Sequence, residues 1–539
     1  MNVAEEALRS IADANLGSKA AFFTSGGVIT RGELERAVLA VANGISALGI
    51  APGERVLMRM TNSVEFAAAF LGSIWAGAVP VLQNSQLGRS ELEHVVALSR
   101  PAAVLHGSPP QAEDPTHSLA AGAAHALVTR GGLCLPSGDR MAGVADDNVR
   151  PFEARADDIA FIVFTSGTTG KPKGVMHAHR WLTALADSNR ARVPPQPSDV
   201  VLATGEWSFI SALGHNVLFP LRNGVAGSIM EERATPERIL AAVERDKVTL
   251  LHSVATLYRR ILATPSIEHR YDLSSLRGAN STGEPLEDTV RDEWQRRIGC
   301  PIWEHYGVSE AQMVLGEGAQ TPHRNGAVGK SWGARPAILD PNLSPLPSGE
   351  IGTLAFDASY PGFFLGYLGD EKATRAALRD GWFVTSDLAR MDDDGYVYIL
   401  GRSDECFKSK GVLIVPSELE AAILALGTFE EACVFAIPDR GIGNRIGAAV
   451  VPRPGTQGAL LEREGLTRAL AGAIASFKLP HLVVPMGSLP KNANGKTQRS
   501  EVSRLILGRH ARTCSGHPRL FSQKQDMDGR DKPGHDVEG

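Results

Sequence analysis

Residues 161–174 read FIVFTSGTTGKPKG, and this stretch decides how the rest of the chain is interpreted. Its first four residues are apolar, with aromatic and β-branched side chains, and they predict a buried strand. A loop of three glycines, four hydroxyl side chains and two lysines follows the strand. Backbone N–H groups on a tight turn, hydroxyl donors and ammonium groups are what a bound polyphosphate requires. The stretch therefore predicts a phosphate-binding loop.

Two alternatives to this interpretation are a Walker loop and a flexible linker. The Walker pattern GxxxxGK[ST] does not fit, because two residues separate Gly167 from Gly170 and a proline follows Lys171. A linker rich in Gly, Ser and Thr is disfavoured, because a strand precedes the loop and Lys-Pro-Lys-Gly ends it. The loop resembles the phosphate loop of the adenylate-forming (AMP-binding) superfamily, which includes acyl-CoA synthetases, peptide-synthetase adenylation domains and luciferases.

Composition and charge indicate an ordinary soluble globular protein. The 539 residues are 43% hydrophobic and 21% charged, with a net charge of −5, which gives no reason to expect nucleic-acid or membrane partners. The five cysteines are scattered without CxxC spacing, which is typical of free thiols in a reducing compartment. The first residues are charged and contain no apolar signal segment, so we expect a cytoplasmic protein.

The N-terminal part of the chain alternates helical and strand patterns. Residues 30–49 predict a capped amphipathic helix, and 56–60, 64–76 and 78–82 predict a strand, a helix and a strand. This alternation predicts βαβ units and a mostly parallel sheet. Residues 107–157 are rich in Gly, Pro, Asp and Ser, and we expect surface connections there.

A helix containing His177 and His179 is predicted after the phosphate loop. Residues two apart do not share a helix face, so this histidine pair is not expected to bind a metal. We expect histidines that make ordinary polar contacts.

The resemblance implies a fold class and a domain organisation. The expected fold is α/β, with a large N-terminal domain of mixed and parallel sheets flanked by helices and a small, mobile α+β C-terminal domain. The expected boundaries are 1–402 for the domain that binds ATP and the acyl substrate and 403–508 for the mobile domain. Residues 509–539 are expected to form a disordered tail, because the end of the chain is polar, rich in Gly, Pro and Asp and without an apolar period.

The resemblance also implies the residues that contact the nucleotide. Tyr306 would stack on adenine, Ser309 would touch the α-phosphate, Asp387 would accept the ribose hydroxyls and Glu310 would ligate Mg²⁺. The family more often has threonine in place of Ser309 and glycine in place of Ser386. The full expected set of ATP and AMP contacts is Thr165, Ser166, Gly167, Thr168, Thr169, Gly170, Lys171, Gly283, Glu284, Pro285, His305, Tyr306, Gly307, Ser309, Asp387 and Arg402.

Three segments near the C-terminus resemble the parts that the family moves during its reaction. Asp404 would be the hinge between the domains, and Lys410 with Gly411 would line the channel for CoA. Lys496, in a Pro-x4-Gly-Lys pattern, would be the catalytic lysine that bridges carboxylate and phosphate oxygens. The alternatives are a charged surface hairpin at 403–408 and an ordinary solvated lysine.

Residues 205–216, GEWSFISALGHN, predict either a core helix or, by the resemblance, the acyl pocket. Ser211 stands where amino-acid-activating members have an aspartate, and a buried ammonium group without a carboxylate would be costly. We therefore expect a carboxylic acid rather than an α-amino acid. The expected pocket is compact and suits an aromatic or alicyclic ring, and its residues are Trp207, Phe209, Ile210, Ser211 and Ala212.

These motifs together imply one two-step reaction. An ATP-dependent carboxylate–CoA ligase would first form an acyl-AMP and pyrophosphate with ATP and Mg²⁺, and then an acyl-CoA from coenzyme A. Its substrate would be an aromatic or alicyclic, benzoate-like acid, and a homodimer is possible. The alternatives are a stand-alone adenylating enzyme that loads a carrier-protein thiol, and a catalytically degenerate nucleotide-binding protein.

Overall fold

A computed structural model describes residues 2–8, 16–108, 114–135, 149–165, 172–439, 441–456, 458–491 and 497–514. The chain divides into two compact units, Met1–Ser403 and Asp404–Gly539. Both units combine helices with sheets, so the α/β fold class is confirmed.

The α-helices lie throughout both units. In chain order they are α1 (Val3–Leu8), α2 (Arg31–Ala47), α3 (Val64–Trp75), α4 (Arg89–Ser99), α5 (Thr116–Leu119), α6 (Trp181–Arg192), α7 (Ile210–Leu213), α8 (Phe219–Arg222), α9 (Pro236–Asp246), α10 (Ala255–Leu262), α11 (Ile267–Arg270), α12 (Asp288–Ile298), α13 (Glu371–Ala377), α14 (Pro416–Ala425), α15 (Arg463–Ala469) and α16 (Arg499–Cys514). A π-helical turn at Gly214–Leu218 joins α7 to α8.

The strands alternate with these helices. In chain order they are β1 (Ala20–Thr24), β2 (Gly27–Thr30), β3 (Arg55–Arg59), β4 (Val79–Leu82), β5 (Ala103–His106), β6 (Ala124–Thr129), β7 (Gly132–Cys134), β8 (Ile159–Thr165), β9 (Lys173–Ala178), β10 (Val200–Ala203), β11 (Ala226–Ser228), β12 (Leu250–Ser253), β13 (Gly278–Thr282), β14 (Ile302–Val308), β15 (Gln312–Gly316), β16 (Lys330–Ser331), β17 (Pro336–Leu339), β18 (Gly352–Asp357), β19 (Gly366–Tyr367), β20 (Leu378–Arg379), β21 (Trp382–Met391), β22 (Val397–Arg402), β23 (Phe407–Ser409), β24 (Val412–Ile414), β25 (Phe429–Asp439), β26 (Gly443–Pro452) and β27 (Leu482–Pro485).

Three sheets build the larger unit in the part of the chain that the structure describes. One has nine strands in the order β16-β15-β14-β13-β12-β10-β11-β1-β2, and a second has eight in the order β19-β9-β8-β4-β3-β5-β6-β7. The third has five strands, with β22 joined to β21. Strands β10 to β14 pair in parallel, as do β3 to β6 with β8. The predicted parallel βαβ organisation is thus confirmed.

The local sequence signals in the first hundred residues are confirmed closely. Thr30 caps α2 and forms a capping box with Glu33, which is the arrangement that the sequence predicts. The predicted strand, helix and strand at 56–60, 64–76 and 78–82 correspond to β3, α3 and β4. Helix α3 is buried almost throughout, since it packs between α2 and the sheet.

Two sequence expectations are wrong in detail. Residues 107–157 contain α5, β6 and β7 in addition to connections, because their short apolar runs extend the edge of the eight-stranded sheet. His177 lies in β9 and not in a helix, since residues 173–178 pair back onto β8.

The smaller unit has its own core. Strands β25 and β26 form a long antiparallel pair, β27 adds in parallel, and α14 and α16 cover the sheet. Arg499 at the start of α16 donates to the backbone carbonyl of Val434 and pairs with Glu420 and Glu405. These contacts attach the last helix to β25 and α14.

Two further findings concern the cysteines and the ability of the helices to span a membrane. Four cysteines, Cys134, Cys300, Cys406 and Cys433, are free thiols in the structure. Among the described residues, none of the helices combines the length and the apolar character needed to cross a lipid bilayer.

A buried arginine fixes the start of α2 in the larger unit. Arg31 is fully buried, and its guanidinium donates to the backbone carbonyls of Leu221, Val225 and Pro220. Burial lowers the pKa of Arg31 to about 10. The side chain thereby holds α2 against the connection between α8 and β11.

We predict that Arg31→Ala lowers the free energy of unfolding by about 2–4 kcal/mol, because three buried carbonyls lose their donor and a cavity remains. Urea unfolding followed by tryptophan fluorescence measures this loss. Arg36→Ala is the matched control, since Arg36 is exposed on the same helix. Equal midpoints for the two variants would contradict the assigned role of Arg31.

Candidate active site

The predicted phosphate loop connects the two strands of an antiparallel hairpin. Strand β8 ends at Thr165, which pairs with Lys173 at the start of β9. Thr165 is half-buried at the mouth of this hairpin. The other predicted loop residues lie outside the described part of the chain; they are Ser166, Gly167, Thr168, Thr169, Gly170 and Lys171. The hairpin fixes where the loop begins and ends, and the roles of its residues stay predictions.

A tyrosine and a glutamate lie beside this hairpin. Strand β19 pairs with β9, and its Tyr367 donates a hydrogen bond of 2.5 Å from Oη to Oε1 of Glu310. The ammonium group of Lys173 lies 4.9 Å from the centre of the Tyr367 ring. Burial and the nearby Glu310 carboxylate raise the pKa of Tyr367, so its hydroxyl stays protonated as the donor.

The Glu310 carboxylate is a suitable ligand for Mg²⁺. Carboxylate oxygens are the hard donors that Mg²⁺ takes, usually one or two from the protein together with substrate phosphates. Tyr367 occupies Oε1, and the other oxygen receives no hydrogen bond from a described residue. Ser309 precedes Glu310 in the same turn between β14 and β15, next to the hairpin strand that carries His177.

A second tyrosine–carboxylate hydrogen bond links two sheets. Oη of Tyr306 in β14 donates to Oδ2 of Asp387 in β21 at 2.5 Å. Burial raises the pKa of Tyr306 well above its usual value, and the Asp387 carboxylate adds to the effect. Asp387 is buried and pairs in the β21–β22 register with Arg402. Tyr306, Asp387 and Arg402 are therefore neighbours, as the sequence predicts for a nucleotide site.

Two of the predicted glycines are required by the backbone. A Cβ on Gly307 would lie 2.2 Å from the backbone oxygen of Gln312, at the bulge where β14 shifts register against β15. Gly283, directly after β13, has a φ of 86°, which side chains rarely adopt. It is followed by Glu284, whose carboxylate accepts from the backbone N–H of Thr256, and by the exposed Pro285. These residues lie at the carboxyl ends of parallel strands, where open α/β sheets bind ligands.

The predicted acyl residues divide into accessible and buried ones. Phe209 and Ser211 are half-buried, whereas Ile210 and Ala212 are buried. Trp207 is fully buried, packs against Phe22 and Phe66, and donates from Nε1 to Oδ1 of Asn216. Its assignment to an acyl pocket stays a prediction, and its contacts in the structure are those of a core side chain.

Three histidines, His215, His252 and His305, form a buried cluster next to Ser211. The rings of His215 and His252 stack with their centres 3.8 Å apart, and His305 lies 6.5 Å from His215. Nε2 of His252 lies 2.8 Å from the Ser211 hydroxyl. His305 and Tyr306 are successive residues of β14, so their side chains lie on opposite faces of the sheet. The predicted contact of His305 with ATP stays a prediction.

Backbone carbonyls fix where two of these histidines carry their protons. Nδ1 of His215 lies 2.9 Å from the Ser211 carbonyl, and Nε2 of His305 lies 3.2 Å from the Glu317 carbonyl. A carbonyl only accepts, so these two nitrogens carry the protons. The opposite nitrogens, Nε2 of His215 and Nδ1 of His305, are therefore acceptors, and neither has a partner among the described residues.

The histidine cluster is neutral at physiological pH. Burial lowers the pKa of His215 to about 4 and the pKa values of His252 and His305 well below 6.5. Arg192 contributes, because its fully buried guanidinium lies near all three rings. Its Nη2 donates to the Ser188 hydroxyl and the Met313 carbonyl, while Nε and Nη1 have no partner among the described residues.

Backbone irregularities surround the same cluster. Gln312 has a φ of 69°, and its side-chain amide lies 3.2 Å from Nδ1 of His215. The amide presents its oxygen to that N–H, because its oxygen otherwise has no partner among the described residues. His215 belongs to the π-helical turn Gly214–Leu218. Strained residues and π-helical turns recur at functional sites. The cluster therefore combines unsatisfied buried polar atoms with unusual backbone, which favours a ligand-binding role.

The smaller unit carries the remaining predicted residues. Asp404 is exposed at its first position, and Lys410 and Gly411 form the exposed turn of the β23–β24 hairpin. Both turn residues have a positive φ, 51° and 80°. Lys496 lies outside the described residues, and Lys491 and Thr497, the described residues on either side of it, form a β-bridge.

Comparison with known proteins agrees with this geometry. Residues 10–368 match the AMP-binding enzyme family, and residues 418–496 match the AMP-binding enzyme C-terminal domain. The chain belongs to the AMP-binding enzyme family. It is an AMP-forming acid–thiol ligase, which uses ATP to form an acyl-AMP and then an acyl-CoA.

Three similar proteins illustrate the relationship. The chain is 32% identical to a feruloyl-CoA synthase of Amycolatopsis sp over 482 residues, which cover 89% of this chain and 94% of that protein. It is 29% identical to a 3-hydroxybenzoate/4-hydroxybenzoate–CoA ligase of Thauera aromatica, with coverage of 94% and 97%. The structure of an anthranilate CoA ligase in complex with anthranoyl-AMP superimposes with a TM-score of 0.85 at 25% identity, covering 95% and 98% of the two chains.

Sequence reasoning missed several residues that the structure brings to this region. Tyr367, Arg192, His252 and Gln312 lie outside every predicted motif. His252 had a usable signal, because a polar residue near the carboxyl end of an apolar parallel strand lies at the ligand-binding edge. For Arg192 and Gln312 the sequence offers no comparable signal.

Two neighbouring carboxyl groups, the half-buried Glu304 and the buried Glu317, support the segment after Gly283. Glu304 accepts from the backbone N–H of Leu286 at 3.3 Å, and the adjacent Glu317 accepts from Arg291 at 2.7 Å. Burial, together with the Glu317 charge, raises the pKa of Glu304 to about 8. Glu304 is therefore protonated at neutral pH, and Arg291 pairs with Glu317.

We predict a pH-dependent stability that Glu304→Gln removes. The pKa of Glu304 is raised in the folded state, so protonated Glu304 contributes to the free energy of unfolding. This contribution is complete below about pH 4.5 and is lost as the pH rises through about 8. The wild type should lose more stability than Glu304→Gln between about pH 6 and about pH 9, measured as urea midpoints. Glu293→Gln, at a more exposed carboxyl on α12, should follow the wild type. If the urea midpoints of all three proteins changed with pH in parallel, the raised pKa assigned to Glu304 would be contradicted.

Proposed function

We propose that this enzyme ligates CoA to an aromatic carboxylic acid whose ring carries a hydrogen-bond donor, such as a hydroxyl or amino group. The observation that supports this proposal is the pair of buried acceptor atoms, Nε2 of His215 and Nδ1 of His305, next to the acyl segment. Three of the similar proteins are named for acids of this kind, as feruloyl-CoA synthase, hydroxybenzoate–CoA ligase and anthranilate CoA ligase.

The physical reason is the cost of unsatisfied buried acceptors. A buried polar group that loses its partner costs about 1–3 kcal/mol. A ring hydroxyl or amino group donates a hydrogen bond to such an acceptor. An unsubstituted ring leaves the acceptor without a partner or bonded only to water. Sites that hydrogen-bond a substrate group discriminate strongly against the analogue that lacks it. We therefore expect the histidine cluster to select for the ring substituent.

The adenylation step is assigned to residues around the hairpin. Mg²⁺, held by Glu310 and the ATP phosphates, would neutralise charge on the phosphates. The loop from Thr165 to Lys171 would hold the leaving phosphates by backbone and hydroxyl donors, and Tyr306, Asp387 and Arg402 would hold adenosine. Lys496 would stabilise the charge that develops between carboxylate and α-phosphate. Positioning and charge stabilisation then supply most of the rate enhancement.

The thioester step is assigned to the smaller domain. We propose that this domain, 403–508, rotates about Asp404 after adenylation, withdraws Lys496 and brings Lys410 and Gly411 to the channel through which CoA enters. Residues 509–539 would take no part in the chemistry. The free cysteines of the described residues are compatible with work in the cytoplasm, where thiols stay reduced. A homodimer stays a prediction.

We predict that hydroxybenzoates and aminobenzoates exceed benzoate and cyclohexanecarboxylate in kcat/KM by about 10-fold or more. The measurement is pyrophosphate release with ATP and Mg²⁺ across these acids, short fatty acids and amino acids, with and without CoA, together with detection of the thioester. His215→Phe keeps a ring to stack on His252 but removes the acceptor. It should reduce the preference by about 10-fold, which corresponds to about 1.4 kcal/mol.

The control for this experiment is His269→Ala, at an exposed histidine of α11, which should keep the wild-type preference. An unchanged preference in His215→Phe would contradict the role of the cluster. A wild-type preference for benzoate would contradict the proposed substrate class. Activity that is indifferent to CoA would favour a carrier-protein thiol as acceptor.

We also predict that Lys496→Ala abolishes acyl-AMP formation but leaves thioester formation from supplied acyl-AMP largely intact, because the lysine acts in the first step only. The two half-reactions are measured separately, as pyrophosphate release and as acyl-CoA formed from the synthetic adenylate. Lys491→Ala is the matched control, since Lys491 lies close to Lys496 in the sequence and pairs with Glu431. Equal loss of both half-reactions would contradict the proposed rotation.

A further inference from the structure

Three histidines meet at an edge of the eight-stranded sheet, away from the residues assigned to the reaction. His106 ends β5, His117 lies in the short helix α5, and His125 is the second residue of β6. One ring nitrogen from each lies within 4.8 Å of the other two. His106 is buried, His125 is half-buried and His117 is exposed, so the group opens to solvent on one side.

The geometry of this group is close to that of a metal site. Nε2 of His106 lies 3.1 Å from Nδ1 of His125, and the ring centres of His117 and His125 are 4.1 Å apart. Metal–nitrogen bonds of about 2.0–2.1 Å in a tetrahedral site place two ligand nitrogens about 3.3 Å apart. His106 and His125 already have nearly this spacing. A rotation of the exposed His117 ring would complete the set.

A backbone contact orients His125 for coordination. Its Nε2 lies 3.3 Å from the Ala120 carbonyl, which only accepts, so Nε2 carries the proton. Nδ1 therefore presents its lone pair toward His106. A histidine ligand held through its other nitrogen by a backbone carbonyl is the usual outer-shell arrangement of metal sites.

The charges around the group permit a cation. Arg59 lies beside His106 in the β3–β5 register, and Nε of Arg59 lies 3.6 Å from Oδ2 of Asp114. This carboxylate offsets the guanidinium charge and also accepts from the backbone N–H of Thr116 at the start of α5.

We propose that His106, His117 and His125 bind one divalent transition-metal ion, with Zn²⁺ as the preferred ion and water as the fourth ligand. Three imidazoles suit Zn²⁺ and neighbouring transition metals, whereas Mg²⁺ and Ca²⁺ prefer oxygen ligands. The ion would join three separate segments of the chain. Helix α5 has four residues, too few to be stable alone, and the metal would fix it on the sheet edge.

The test uses the full chain without a histidine tag, freed of metal by dialysis against a chelator. It is mixed with one equivalent of Zn²⁺, desalted and analysed for bound zinc, and Co²⁺ absorption reports the coordination geometry. Wild type should retain one ion per chain and show the intense visible bands of four-coordinate Co²⁺. His117→Ala should bind about 100-fold more weakly, and His125→Gln should weaken binding as well.

His269→Ala, at an exposed histidine outside the group, should bind zinc like the wild type. Zinc should raise the Tm of wild type and of His269→Ala, but not of His117→Ala, because binding to the folded state alone is stabilising. His117 is exposed, so loss of folding is not expected, and circular dichroism checks this. Equal zinc retention by wild type and His117→Ala, or no retention by the wild type, would overturn the proposal.

Discussion

Two hydrogen bonds from tyrosine to carboxylate join the three sheets of the larger unit at the active site. Tyr306 of the nine-stranded sheet donates to Asp387 of the five-stranded sheet, and Tyr367 of the eight-stranded sheet donates to Glu310. Burial raises the pKa of both phenols, so the proton stays on the tyrosine and the carboxylate stays the acceptor. The side chains proposed to contact the nucleotide and Mg²⁺ therefore depend on these two bonds for their relative positions.

Local signals in the sequence were sufficient for much of the fold. The cap and capping box of α2, the buried helix α3 and the strand before the phosphate loop follow from hydrogen bonding and periodicity within a few residues. Where the expectations failed, pairing with distant chain decided the structure. His177 lies in a strand because 173–178 folds back on β8, and no local preference reveals this.

The candidate site divides in the same way. The family resemblance implied that Tyr306, Glu310 and Asp387 belong to one site, and the structure brings all three to one region. The histidine cluster could not be predicted, because its members come from the π-helical turn, β12 and β14 and have no common pattern. Arg192 joins them from the last turn of α6. Only the packing of the sheet edge makes these residues neighbours.

The two histidine groups of this chain illustrate how geometry directs the same chemistry to different uses. Burial lowers the pKa values of His215, His252 and His305, which keeps these three imidazoles neutral at physiological pH. His215 and His252 stack in parallel, so their unpartnered ring nitrogens do not converge on one point. His106, His117 and His125 instead direct one nitrogen each toward a common centre that is open to solvent. Sealed and stacked rings favour recognition of an uncharged substituent, whereas converging, accessible rings favour a cation.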